Sequence, residues 1–179
     1  MAMPVPLFQQ PLHNYWKMVL GAAAADVEML PRAAFSDPAL AGQLERIAAQ
    51  HSIDIAELKP EAINADARKQ PGWLVVTIPF TGSAQSLQLC PSRSTIVQHA
   101  VDIDRGVMTL QGIRDDDRAD AAVKGFVDVV SQNLNLLRVE YQQLRPQLIQ
   151  KIQEVAERRK AKIAAEDARD KGRSFRVSR

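Results

Sequence analysis

The last third of this 179-residue chain constrains its fold most. From Asp115 onward the residues read as a single charged, amphipathic helix. Val130, Leu134, Leu137, Tyr141, Leu144 and Leu148 recur at alternating spacings of four and three, which makes a heptad seam. A helix over Arg118–Asp170 would run roughly 80 Å at 1.5 Å per residue. A rod of that length needs something to cover its apolar row, either elements of its own chain or another helix. Pro146 interrupts the pattern: it removes one helical hydrogen bond and disfavours helix at Arg145, so a kink or two helices in tandem is expected. Leu148, Ile152 and Val155 continue the seam through a stutter that locally relaxes supercoiling. Beyond Val155 the face holds only Ile163 and alanines, so the tip is expected in solvent, held by pairs such as Glu154–Arg158 and Lys162–Glu166.

The period changes twice before that helix. Residues 1–11 carry Pro4, Pro6 and Pro11 and read as an extended arm. Trp16, Val19, Leu20, Ala23, Val27 and Leu30 recur at three and four, which predicts a helix over Leu12–Leu30 ended by Pro31. A second helix, Pro38–Gln50, takes Asp37 as its cap and buries Leu40, Leu44 and Ile47. A short helical turn at Ile55–Leu58 stops at Pro60, and residues 59–72 read as a polar loop. Trp73–Phe80 is then β-branched and aromatic, a mostly buried strand. Gln85–Cys90 alternates, with Leu87 and Leu89 inward and Gln88 outward. Ile96–Ile103 and Val107–Ile113 flank Asp104-Arg105-Gly106, a hairpin turn. Asp115–Asp117 supply charge and a cap to the long helix. The expected class is α+β, with N-terminal helices, a small antiparallel sheet and a long amphipathic C-terminal helix. The expected division is an arm over 1–11, one α+β domain over 12–145, and a basic helical extension over 146–179.

Composition and motifs narrow the chemistry. The eight glycines are scattered, so no phosphate-cradling loop is built. Cys90, His13, His51 and His99 are too far apart in sequence for a zinc site, and one cysteine precludes an internal disulfide. Cys90-Pro91-Ser92-Arg93 lacks the arginine that a cysteine-phosphatase loop requires, since Ile96 stands there. Cys90 therefore reads as a small core residue. Asp102 and Asp104 suit a hairpin shoulder better than a metal pair. His51 extends the stripe of the second helix as a boundary residue, and Trp16 in the cluster His13, Tyr15, Trp16 reads as core. No catalytic residue, cofactor or metal ligand is assigned, and the protein is read as non-enzymatic. There is no basic stretch followed by an apolar leader and no apolar run long enough for a membrane span, so a cytoplasmic protein is expected.

Charge is uneven. Nine Lys/Arg against four Asp/Glu give residues 157–179 a balance of +5, so the remainder carries −3 to reach the net +2. Glu157-Arg158-Arg159-Lys160, followed by Arg169-Asp170-Lys171-Gly172-Arg173-Ser174-Phe175, resembles a stretch of uncharacterised bacterial proteins. In those, a similar α/β region with a long helix can precede a nuclease-like domain. The resemblance covers the last third of the chain and implies a bacterial source and a multi-protein or defence-associated setting. It transfers no site residues, and no nuclease motif is found here.

Two functional readings follow. The first is an assembly subunit that self-associates, a dimer being favoured, or binds a partner helix through Val130, Leu134, Leu137, Tyr141, Leu144, Leu148, Ile152 and Val155. The alternative is a nucleic-acid-binding accessory protein that contacts phosphates through Arg158, Arg159, Lys160 and Lys162.

Overall fold

A computed structural model describes residues 5–35, 39–68, 71–97 and 99–172. The strands are β1 (Val5–Pro6), β2 (Gln10–Pro11), β3 (Glu57–Leu58), β4 (Asn64–Asp66), β5 (Trp73–Thr81), β6 (Leu89–Cys90), β7 (Ala100–Asp104) and β8 (Val107–Arg114). The α-helices are α1 (Leu12–Met29), α2 (Ala39–Gln50) and α3 (Ala119–Lys171). The class is α+β with an antiparallel sheet and a long C-terminal helix, as the periodicity predicts. The chain forms two compact units: residues 1–15 with 53–143, and residues 16–52 with 144–179.

The first unit is the sheet and the first half of α3. Its order is β1-β7-β8-β5-β3, with β4 also on β5, and every pairing is antiparallel. Val76, Ile78, Phe80, Met108 and Leu110 alternate onto the buried face, and Phe126, Val127 and Val130 of α3 are buried in the same unit. The hairpin between β7 and β8 closes on two residues, Arg105 (φ 45°) and Gly106 (φ 80°). Both have positive φ, which matches the twist of the flanking strands. A register shift between Leu74 and Val76 is accommodated opposite Gly112 (φ 82°), where glycine takes the left-handed conformation at no steric cost. That bulge lets Ile113 and Leu110, three residues apart, both turn inward.

Several expectations are corrected here. The N-terminal arm is an edge of the structure: Val5–Pro6 pairs with β7, Gln10–Pro11 pairs in parallel with β6, and Phe8 N donates to Leu87 O at 2.9 Å. Burial of Leu7 and Phe8 is the apolar anchor that holds it. The turn expected at Ile55–Leu58 is extended, because Ile55, Ala56 and Leu58 are buried and Lys59 N donates to Pro79 O at 2.8 Å. The polar stretch 59–72 contains a 3-10 turn and β4 as well as loop. Gln85–Cys90 is a 3-10 turn over Ala84–Gln88 before the short β6. Ser83 caps that turn, and the buried Ser86 hydroxyl accepts from Ala56 N at 2.8 Å and donates to Ser83 O at 2.7 Å. Local side-chain bonds of this kind compete with a strand ladder.

The second unit is helical. Trp16, Val19, Ala23 and Val27 of α1, Leu40 and Ile47 of α2, and Leu148, Ile152 and Val155 of α3 are its buried residues. So α1 beyond Tyr15 and α2 lie in this unit, and α3 supplies Leu148, Ile152, Val155 and Ala156 to its core, while none of its described residues past Ala156 is buried. The proposed caps Asp37 and Pro38 lie outside the described residues. Helix α3 runs unbroken through Pro146, so the tandem-helix alternative does not hold. Helical turns on both sides retain their own bonds, and the proline ring faces solvent. Asp116 opens the helix by accepting from Arg118 N at 3.0 Å.

Candidate interaction surface

The residues assigned to assembly are spent within the chain. In the first unit Val130, Leu134, Leu137 and Tyr141 are buried, with Leu137 and Val130 at 0% exposure. The Tyr141 hydroxyl accepts from Ile53 N at 2.9 Å, so even its polar end is committed. In the second unit Leu148, Ile152 and Val155 are buried and Leu144 is half-buried. The seam is internal core. Its heptad spacing reports a face that must be covered, and in this chain the sheet in one unit and α1 and α2 in the other provide the cover.

The basic cluster is engaged as well. Arg158 donates to Glu28 at 2.8 Å, Arg159 stands 3.9 Å from the same carboxylate, and its guanidinium lies 5.8 Å from the Phe35 ring centre. Arg32 donates to Glu166 at 3.0 Å, to Asp167, and to Ile163 O at 3.3 Å. The expected local pairs Glu154–Arg158 and Lys162–Glu166 are thus replaced at Arg158 and Glu166 by partners some 130 residues away. Glu154 instead accepts from Gln150 at 2.8 Å. Lys160 is half-buried, and Lys162 is exposed. These arginines pair with carboxylates on other elements of the unit, and the Arg158 side chain remains 69% exposed.

Other residues considered for chemistry also take structural roles. His51 Nε2 lies 2.6 Å from Asp26 Oδ2 at the edge of the second unit, and Asp102 accepts from Gln111 across the β7–β8 pair at 3.0 Å. Cys90 is half-buried beside Ser94 at 3.1 Å. Trp16 is core, at 3% exposure. The Tyr15 hydroxyl is held above its ordinary pKa, first by burial and then by the nearby Tyr141 phenol. Among the described residues no three His, Cys, Asp or Glu side chains gather as a metal site, and no helix is long and apolar enough to cross a membrane.

Two surface features escaped the sequence reading. The first is the loop after β6, fastened to α3 at two points. Asn133, fully buried, accepts from Thr95 N at 2.9 Å and donates to Thr95 O at 2.8 Å. One α3 heptad later, the Glu140 carboxylate accepts from Ser92 N at 2.9 Å and from the Ser92 hydroxyl at 3.1 Å. The loop displays Ile96 at 83% exposure. The second is a groove of about 570 Å³ in the helical unit. Ala41, Leu44, Glu45, Ala48 and Ala49 of α2, with Ser52 just beyond it, form one wall; Arg145, Leu148, Ile149, Ile152 and Gln153 of α3 form the other. Ile149 is 45% exposed in it. Glu45 and Arg145 stand exposed on opposite walls, and neither makes an ion pair among the described residues. A further hollow of about 630 Å³ lies by β5, with Asp120, Lys124 and Asp128 along one helix and no convergent polar set. The α2–α3 groove is the stronger candidate because it joins an apolar floor, an exposed apolar side chain and two free charges of opposite sign.

Compared with known proteins, the chain matches no family, no curated protein and no solved structure.

Proposed function

We propose that this protein is a non-enzymatic assembly subunit that docks an amphipathic helix, from a second copy or from another protein, in the groove between α2 and α3. The exposed Ile149 within an apolar, two-helix groove is the observation that carries this reading. Helix-in-groove recognition buries apolar anchors spaced by one helical turn and leaves polar residues at the rim. The groove has that layout, with Leu44, Leu148, Ile149 and Ile152 inside and Glu45, Arg145 and Gln153 at its borders. The interface thereby moves from the heptad seam to the neighbouring face of the same helix. The nucleic-acid alternative has less support, since Arg158 and Arg159 are engaged by Glu28. The tail's resemblance to uncharacterised bacterial proteins implies a multi-protein setting, which accords with a docking role; its Arg173–Phe175 portion lies outside the described residues.

A photo-crosslinking side chain placed at position 149 tests the reading, with position 18 as the control because Met18 is 67% exposed in the same unit. The expected result is one discrete adduct at 149, with itself or with one protein identified by mass spectrometry, and its loss when Ala48→Trp fills the groove. Equal adducts from both positions, or an adduct at 149 that survives Ala48→Trp, would overturn it.

A further inference from the structure

Beyond the docking groove, we infer that the first unit holds a binding site for an apolar chain with a carboxylate head, such as a medium-chain fatty acid. The hollow of about 630 Å³ beside β5 and α3 has an apolar floor, with Val76 and Val127 buried and Ile63, Leu74 and Val123 half-buried. Its volume falls within the roughly 300–1,000 Å³ of small-molecule sites. Its lining follows α3 from Asp120 to Ser131, about 16 Å at 1.5 Å per residue, which suits an elongated occupant. Asp120 and Asp128 line this hollow with Lys124 between them, so its own charges disfavour a carboxylate there.

A second hollow of about 290 Å³ adjoins the first, since Pro60 and Ser131 line both. Here the lining turns polar, with Glu57 of β3 and Asn135 and Arg138 of α3. Arg138 is half-buried and pairs with no carboxylate among the described residues. Its Nη1 donates to Asn135 Oδ1 at 2.8 Å and its Nη2 to Ala56 O at 3.5 Å, both neutral acceptors. A guanidinium carries five N–H donors and grips a carboxylate in a two-point fork, so Arg138 keeps both charge and donors for one. Glu57 is exposed in the same hollow and makes no ion pair with it. An apolar trough that leads to an unneutralised arginine selects an amphiphile. A compact anion would leave the trough empty, and an uncharged chain would leave Arg138 unused.

Calorimetric titration of the full chain with dodecanoate tests this, with an expected Kd on the order of 10 µM. Octanoate, which leaves part of the trough unfilled, should bind at least about tenfold more weakly. Dodecyltrimethylammonium, with the same chain and the opposite charge, should also be weaker by about tenfold or more. R138Q should lose about tenfold for dodecanoate, while E57Q should bind it at least as tightly as the parent. Equal affinity for the two head groups, an R138Q variant within about threefold of the parent, or no binding up to about 1 mM would overturn the assignment. The head-group comparison uses the parent chain alone, so it stands even if a variant misfolds. Ala65→Trp, at an exposed position of β4 in the trough, should block binding, and Ala48→Trp in the docking groove should not. The reverse pattern would place the amphiphile between α2 and α3 and overturn the site.

Discussion

Replacing Leu137 by alanine tests whether the heptad seam is core or interface. Leu137 is fully buried within the single chain. Truncation removes three carbons, worth about 2.4 kcal/mol at about 0.8 kcal/mol per buried methylene, before any cavity term. A fully buried site collapses only in part, so the total should be about 3 kcal/mol, within the roughly 2–5 kcal/mol seen for such changes. With a urea slope of about 2 kcal/mol/M for a chain of this size, the unfolding midpoint should fall by about 1.5 M. The decisive feature is concentration. A core residue gives the same loss at about 1 µM and about 50 µM protein, because no association is linked to it. Far-ultraviolet circular dichroism in a urea titration reads both quantities. A loss under about 1 kcal/mol, or a difference from the parent that grows with protein concentration, would mean that the seam faces a partner.

Glycines supply a paired test: Gly82 (φ 83°) leaves an added Cβ 3.0 Å from Ala56 Cα and Ile55 O, so Gly82→Ala should cost about 1–3 kcal/mol. Gly125, in open helical surroundings, should gain about 0.5–1 kcal/mol on the same substitution, both read by chemical denaturation. Asn133→Leu strands both polar groups of the Thr95 backbone and should cost about 1–3 kcal/mol, with faster amide exchange at Thr95 as the local signature. The folded state holds the Tyr15 phenol pKa above its ordinary 10.0, so it keeps a proton that the unfolded chain releases. Stability from this group is intact below about pH 10 and is lost as pH rises through the folded value; Tyr15→Phe should flatten that part of the alkaline stability curve.

Legibility in the sequence followed the physics of each signal. Long periodic segments were readable: α1, α2, β5, the β7–β8 hairpin and α3 arise from repeating apolar spacing or from a turn that demands positive φ. Short segments were not, because their state is decided by bonds to distant residues. Glu57–Leu58 and Asn64–Asp66 become strands through the edge of β5, and Ala84–Gln88 becomes a 3-10 turn through Ser83 and Ser86. Pro146 misled in the other direction, since one missing bond on an exposed face is outweighed by the core contacts of Leu148 and Ile152 on the opposite one.

The candidate site was the least legible part, for a reason that follows from the heptad pattern. That pattern identifies a face that must be buried and says nothing about what buries it. In this chain the sheet face of Val76, Ile78, Met108 and Leu110 and the α1 stripe of Trp16, Val19, Ala23 and Val27 each need a helix, and α3 has one stretch for each. Its seam is therefore used up internally. The flank beside the seam keeps an exposed apolar side chain, Ile149, next to the buried Leu148. Its opposite wall sets Ala41, Ala48 and Ala49 beside Leu44 and Glu45, and alanines in a sequence signal only helix propensity. A seam predicts burial, and the other elements of the chain decide what does the burying.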